Sequence, residues 1–338
     1  MGKIGVLLLN IGSPPSYEVP AVKKYLSTFL MDKDVINLPY PLRWTLVNLL
    51  IVPRRGRASA ANYEKVWIKD QGSPLNVYSK EFAAKLQTHL GSNYVVKIGM
   101  RYADPIIPQA LTELAEAQVS SLILAPMFPQ YAEATTGSAL KEVHRLIGRM
   151  GIDIPTTSLA PFFASAAFVQ PSARLIREKV GDEPIDHYLF SFHGLPESHI
   201  RKIPGCLQTD GCCFEKNACA KNCYRAQCFE SATQIAESLQ LQESHWSVSF
   251  QSRLGRAEWL KPSTEHSLEI LARTGKKNIA IICPSFVADC IETLEEIAIG
   301  AKEEFLKNGG KNLEVVPCVN ADADWVAGFA DLITNHQT

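Results

Sequence analysis

At 338 residues the chain exceeds what one ordinary core holds and suits two lobes of about 150 residues each. Its 34 Lys and Arg set against 35 Asp and Glu leave a formal charge of −1, so no overall basic field marks it as a binder of nucleic acid. No apolar run reaches the roughly 18 residues needed to span a bilayer.

The chain begins with a strand-like apolar run, Ile4–Asn10, ended by the turn Gly12-Ser13-Pro14-Pro15. No small-residue cleavage site follows it and position 6 is Val, which argues against a signal peptide and against myristoylation; a reducing cytoplasmic location is expected. Within residues 13–75 lies the run Pro41–Val52, followed by Arg54, Arg55 and Arg57. That is an apolar, arginine-flanked lip, suited to peripheral contact with the inner face of a membrane.

Strand-like runs then recur at Tyr94–Gly99, Ser121–Pro126 and Pro155–Pro161, with helical patterns at Pro105–Gln118 and Ser138–Met150 between them. The second half repeats the scheme. Runs at His187–Phe192, Trp246–Gln251, Ile279–Pro284 and Leu313–Cys318 alternate with helical patterns at Gln227–Leu241, Ser263–Arg273 and Ile291–Leu306. Two successive β-α-β-α series predict an α/β protein of two pseudo-duplicated, doubly wound, Rossmann-like lobes, each with a parallel four-stranded sheet. The expected lobes are residues 1–165 and 166–338, with the last helix a candidate to pack on the first lobe.

Six of the nine cysteines crowd into residues 206–228: Cys206, Cys212, Cys213, Cys219, Cys223 and Cys228. On a short polar stretch such density does not read as core filling, because core cysteines follow the spacing of the apolar residues around them. In a reducing compartment clustered thiols bind metal more often than they pair as disulfides. The gaps are less regular than the paired C-x2-4-C spacing of zinc sites, which leaves both an iron–sulfur cluster and structural zinc open.

Ligands of open parallel sheets bind beyond the carboxyl ends of the strands. Those ends carry Asn10-Ile11-Gly12-Ser13-Pro14, Met100-Arg101-Tyr102, Pro129-Gln130-Tyr131, Phe192-His193-Gly194, Gln251-Ser252-Arg253 and Pro284-Ser285-Phe286. Aromatics, hydroxyls, one His and a few arginines suit a large, flat, apolar ligand with acidic substituents. Neither a Walker A sequence nor G-x-G-x-x-G is present, which disfavours a nucleotide.

At these residues the chain resembles the ferrochelatases. The resemblance runs from Leu8–Pro14 through Arg101-Tyr102, Pro129-Gln130-Tyr131, Thr135-Thr136-Gly137-Ser138, Ser191–Pro196, Phe250–Arg253 with Trp259-Leu260, and Pro284–Asp289 to Glu292–Glu296. It implies insertion of Fe2+, as substrate, into a porphyrin, by a monomer or homodimer that takes no nucleic acid. His193 is then the catalytic base and Glu292 the catalytic carboxylate, both able to hold the incoming Fe2+. Arg101, Tyr102, Tyr131, Ser138, Asp289, Glu296 and Trp259 line the substrate, although Trp259 reads equally well as core. Asp289, Glu292 and Glu296, at i, i+3 and i+7, are expected along one stripe of a helix. Some relatives carry a 2Fe-2S cluster; here four of Cys206, Cys212, Cys213, Cys219 and Cys223 are its implied ligands. Cys228 sits at a helix start, and Cys283 and Cys318 read as buried strand thiols.

Overall fold

The apolar runs become strands of parallel sheets; Val6–Leu9 and Ile279–Ile282, inside their sheets, read as continuous apolar residues, whereas Trp246–Gln251, at an edge, alternates with serine. The computed structural model of the chain describes residues 2–207, 211–213, 222–253 and 257–336. Two compact units result: Met1–Met127 with Ala132–Ala160 and Phe329–Thr338, and Phe128–Tyr131 with Pro161–Gly328.

The first unit contains β1 (Ile4–Asn10), α1 (Val19–Leu30), α2 (Tyr40–Trp44), α3 (Val52–Val66), α4 (Pro74–Leu90), β2 (Tyr94–Met100), α5 (Ile107–Glu116), β3 (Ser121–Pro126), α6 (Ser138–Met150) and β4 (Thr156–Ser158). Its sheet runs β2-β1-β3-β4, all parallel, with Ile4 opposite both Tyr94 and Ser121. Leu7, Leu9, Leu122 and Leu124 pack under Ile107 and Leu111 of α5 and Val143 and Leu146 of α6. β4 is shorter than the apolar run predicts because prolines at 155 and 161 cannot donate to a ladder. The lip is helical: α2 continues through a π-helical stretch, Thr45–Ile51, into α3. Tyr40, Leu42 and Leu49 are 63%, 61% and 57% exposed, so this segment presents large apolar side chains to solvent, and Arg54, Arg55 and Arg57 are exposed beside it.

The second unit contains α7 (Ala166–Val180), β5 (His187–His193), α8 (Glu197–Ile200), α9 (Tyr224–Ser238), β6 (Trp246–Gln251), α10 (Thr264–Arg273), β7 (Asn278–Ile282), α11 (Lys302–Lys307) and β8 (Asn312–Val315). The last helix, α12 (Ala323–Asn335), belongs to it as far as Gly328. Its parallel sheet runs β6-β5-β7-β8, the first sheet's pattern repeated. Leu189, Ile279, Ile281 and Leu313 pack against Leu268 and Ala272 of α10, Ile297 and Phe305. The two four-stranded parallel sheets are those the repeat predicts.

Three local expectations need correction. Cys283 and Cys318 are buried but lie past their strands, which stop at Ile282 and Val315 ahead of Pro284 and Pro317. The helix expected over Ile291–Leu306 is a π-helix from Glu292 to Ala301 that then tightens into α11. The helix expected from Gln227 starts at Tyr224, directly after Cys223.

Candidate active site

In the second sheet the chain winds outward in both directions from β5, to β6 on one side and β7 on the other. The switch point is the crevice between β5 and β7, where open parallel sheets take ligands beyond their carboxyl ends. β5 ends on His193 and the turn after β7 supplies Ser285. Glu292 opens the π-helix just downstream, a departure from α-helical winding often found at functional sites.

His193 is held on three sides. Its ring Nδ1 lies 2.7 Å from the Gly194 carbonyl, so Nδ1 carries the proton and donates, leaving the Nε2 lone pair to act. Its backbone N–H donates to Ser285 Oγ at 3.0 Å, and its carbonyl accepts the Tyr224 hydroxyl at 2.7 Å. Gly194 must lack a side chain: a Cβ there would sit 2.8 Å from the Gln251 carbonyl oxygen and 3.3 Å from Trp259 Cε3. Burial holds the imidazole below its ordinary pKa, against the opposing pull of Glu292 and the Gly194 carbonyl, so the ring is neutral at pH 7. Burial likewise pushes Glu292 above the usual carboxylate range, with Cys290 and His193 opposing. The result is a neutral base beside a carboxyl group poised to accept a proton.

The expected acidic stripe is only partly formed. Glu296 accepts the Ser252 N–H at 2.7 Å and the Ser252 hydroxyl at 2.6 Å, and Ser252 adopts a left-handed φ of 62° to make both contacts. Gln251, just before it, donates to the Glu292 carbonyl at 3.0 Å. Asp289 precedes the π-helix and turns into the core, where it is 5% exposed. Its carboxylate accepts Thr293 Oγ1 at 2.9 Å, Cys318 N at 3.3 Å and Asn320 Nδ2 at 2.7 Å. These three bonds tie the Asp289 carboxylate to the start of the π-helix and to the segment after Val315. Tyr131, in the same unit, donates its N–H to Gln227 Oε1 at 2.7 Å. Trp259 is half-buried and pairs with Pro196 beside the His193 loop.

Arg101, Tyr102 and Ser138 are brought together in the first unit by a residue the sequence did not single out. Asp32 Oδ2 accepts Arg101 at 2.9 Å, the Tyr102 hydroxyl at 2.8 Å and the Ser138 hydroxyl at 2.6 Å, and Arg101 Nε donates to Ser138 at 3.1 Å. Burial pushes the Asp32 carboxyl up, but the hydrogen bonds from Ser138, the Asp34 N–H and Tyr102, with the Arg101 charge, hold it below the usual range. In sequence Asp32 is one of two acids in Met31-Asp32-Lys33-Asp34, indistinguishable from a solvated turn residue.

Cys206, Cys212 and Cys223 are buried, Cys213 is half-buried, and Cys219 lies outside the described residues. Arg225 donates to Cys213 Sγ at 3.0 Å. The Cys223 thiol is brought down to about 6, first by a hydrogen bond from Cys213 and against burial, with help from the Ala226 N–H, Cys206 and the Arg225 N–H. Among the described residues no group of three or more His, Cys, Asp or Glu side chains forms a metal site. The same hydrogen bond, with burial, pushes the Cys213 thiol up, so the two sulfurs share one hydrogen beside the Arg225 guanidinium.

Comparison with known proteins bears on the chain as a whole. Residues 3–337 match the protein family Ferrochelatase. The chain is 64% identical over 333 residues to a ferrochelatase of Bdellovibrio bacteriovorus, covering 98% of this chain and 99% of that one. It is 44% identical over 328 residues to a ferrochelatase of Ectopseudomonas mendocina, covering 96% and 95%. In fold it is similar to SirB from Bacillus subtilis with Fe3+, at a TM-score of 0.55 and 11% identity, covering 98% and 95%.

Proposed function

The chain belongs to the ferrochelatase family, and from that premise we propose how its residues insert ferrous iron into a porphyrin to make haem. Metallation must remove two pyrrole N–H protons, so the site needs a base that is unprotonated at neutral pH and an outlet for protons. The observation that carries the reading is the His193 tautomer: with Nδ1–H spent on Gly194, Nε2 offers its lone pair either to a pyrrole proton or to Fe2+. Glu292, whose carboxyl burial raises above the usual carboxylate range, takes the proton on, and Glu296 with Ser252 continues the polar path. Trp259 and Tyr131 flank the macrocycle. In the first unit Asp32 holds Arg101, Tyr102 and Ser138 together as one polar group.

Protoporphyrin, the less polar ring, suits the exposed apolar segment Tyr40–Leu50, which also rests on a membrane surface from the cytoplasmic side while the adjoining arginines meet lipid phosphates. Four of Cys206, Cys212, Cys213, Cys219 and Cys223 would hold a 2Fe-2S cluster, which would tie down a polar segment with little apolar content of its own. The test of the whole reading is anaerobic insertion of Fe2+ into protoporphyrin, followed by loss of porphyrin fluorescence, in wild type and in His193→Ala. An inactive wild-type protein overturns it.

A further inference from the structure

The His193 peptide closes a ring of hydrogen bonds that the reaction itself does not use. Its N–H donates to Ser285 Oγ, Ser285 and Tyr224 share a hydrogen at 3.1 Å, and the Tyr224 hydroxyl donates to the His193 carbonyl. Tyr224 has one O–H, already given to His193, so Ser285 must donate to Tyr224 and all three bonds run in one direction. Circuits of this kind polarise one another, and this one is buried around Tyr224 at 7% exposure. Both backbone groups of His193 are thereby fixed by side chains from outside its own strand.

Tyr224 is also the first residue of α9, and Cys223 is the residue on which that helix begins. Farther along the helix, Gln227 Oε1 accepts the Tyr131 N–H at 2.7 Å, and Ser231 Oγ accepts the Gln130 Nε2 amide hydrogen at 2.8 Å. The start of α9 thus holds the end of β5 and the segment after residue 128 together, and its N-terminus is tied to the cysteines.

We propose that Tyr224 is a positioning residue for His193 and that it couples the cysteine segment to the active site, so that a displacement of Cys223 reaches the base through one hydroxyl. The inference rests on the reading of His193 as the base. It requires no particular occupant of the thiols, because the link is covalent from Cys223 to Tyr224 and hydrogen-bonded from there to His193.

Tyr224→Phe keeps the ring that fills the pocket and removes only the hydroxyl; Ser285→Ala opens the same circuit from its other member. Each is measured for kcat, porphyrin KM, melting temperature and the 15N signals of the His193 ring in histidine-labelled protein. A misplaced base costs turnover by about 10- to 100-fold, while KM, set by the rest of the porphyrin contacts, stays within roughly twofold. The His193 15N signals and the pH profile of kcat move with turnover; a merely structural role would shift the melting temperature alone. For the coupling, Cys213→Ser is made in wild-type and Tyr224→Phe backgrounds: its effect on kcat and on the His193 signals should be smaller in the second, since residues acting through one network are not additive. Wild-type kcat and unchanged His193 signals in both Tyr224→Phe and Ser285→Ala overturn the positioning role. Full additivity overturns the coupling. Retention of activity by His193→Ala would instead remove the premise, and the two failures are therefore separable.

Discussion

Replacing Asp32 by Asn tests whether the Arg101–Tyr102–Ser138 group is built around a buried charge. Asp32 has 5% of its side chain exposed and receives three donors on one oxygen, at 2.6, 2.8 and 2.9 Å. A hydrogen bond to a charged group contributes about 1.5–3 kcal/mol against about 0.5–1.5 for a neutral pair, so each bond loses roughly 1 kcal/mol when the carboxylate becomes an amide. Arg101, 23% exposed, recovers part of its loss from water, and Glu142 stands 3.9 Å away. The net cost should be about 2–3 kcal/mol, or about 5–10 °C in melting temperature at about 2–4 °C per kcal/mol. The sign with pH follows from the depressed carboxyl: its contribution is present above the unfolded pKa of about 3.9 and is lost as pH falls through the lower folded value. Calorimetry at pH 7 and near pH 3 should therefore show a clear deficit for Asp32→Asn that narrows in acid. A deficit below about 0.5 kcal/mol at pH 7, or one independent of pH, would refute a buried-charge hub, since surface substitutions fall in that range.

For Glu292→Gln the effects on stability and turnover should separate. A carboxyl raised by burial stabilises the fold at low pH and loses that contribution as pH rises through its folded value, so at pH 7 the amide should melt no lower than wild type while turnover falls about 100-fold or more; parallel losses would make Glu292 structural. In protein purified without air, cluster absorption should be visible and should bleach in Cys213→Ser or Cys223→Ser but persist in Cys283→Ser, whereas colourless wild type carrying stoichiometric zinc would overturn the iron–sulfur assignment. Glu at both Leu42 and Leu49, each more than half exposed, should weaken sedimentation with anionic vesicles without lowering the melting temperature; unchanged sedimentation would rule out the lip as the contact.

Most strands were legible as apolar runs bounded by Gly or Pro, and Trp246–Gln251 through its alternation; the repeat was legible because both halves present those runs in the same order. His193 and Glu292 stood out through the residues around them. Asp32 and Tyr224 did not, since each acts through a contact 31 to 106 positions away in sequence, and a single hydroxyl or carboxyl carries no mark of its partner. The π-helix was hidden for a different reason. Its residues favour helix in general, and apolar periodicity over ten residues does not separate π from α winding.

The central claim is that His193 Nε2 takes the pyrrole protons, and the most direct test is anaerobic metallation of protoporphyrin by Fe2+ with His193→Ala, read beside porphyrin binding by fluorescence. Binding should persist, since the remaining contacts supply the affinity, while turnover falls by about 10²–10⁴-fold. Turnover above about a tenth of wild type, with binding intact, would contradict the account.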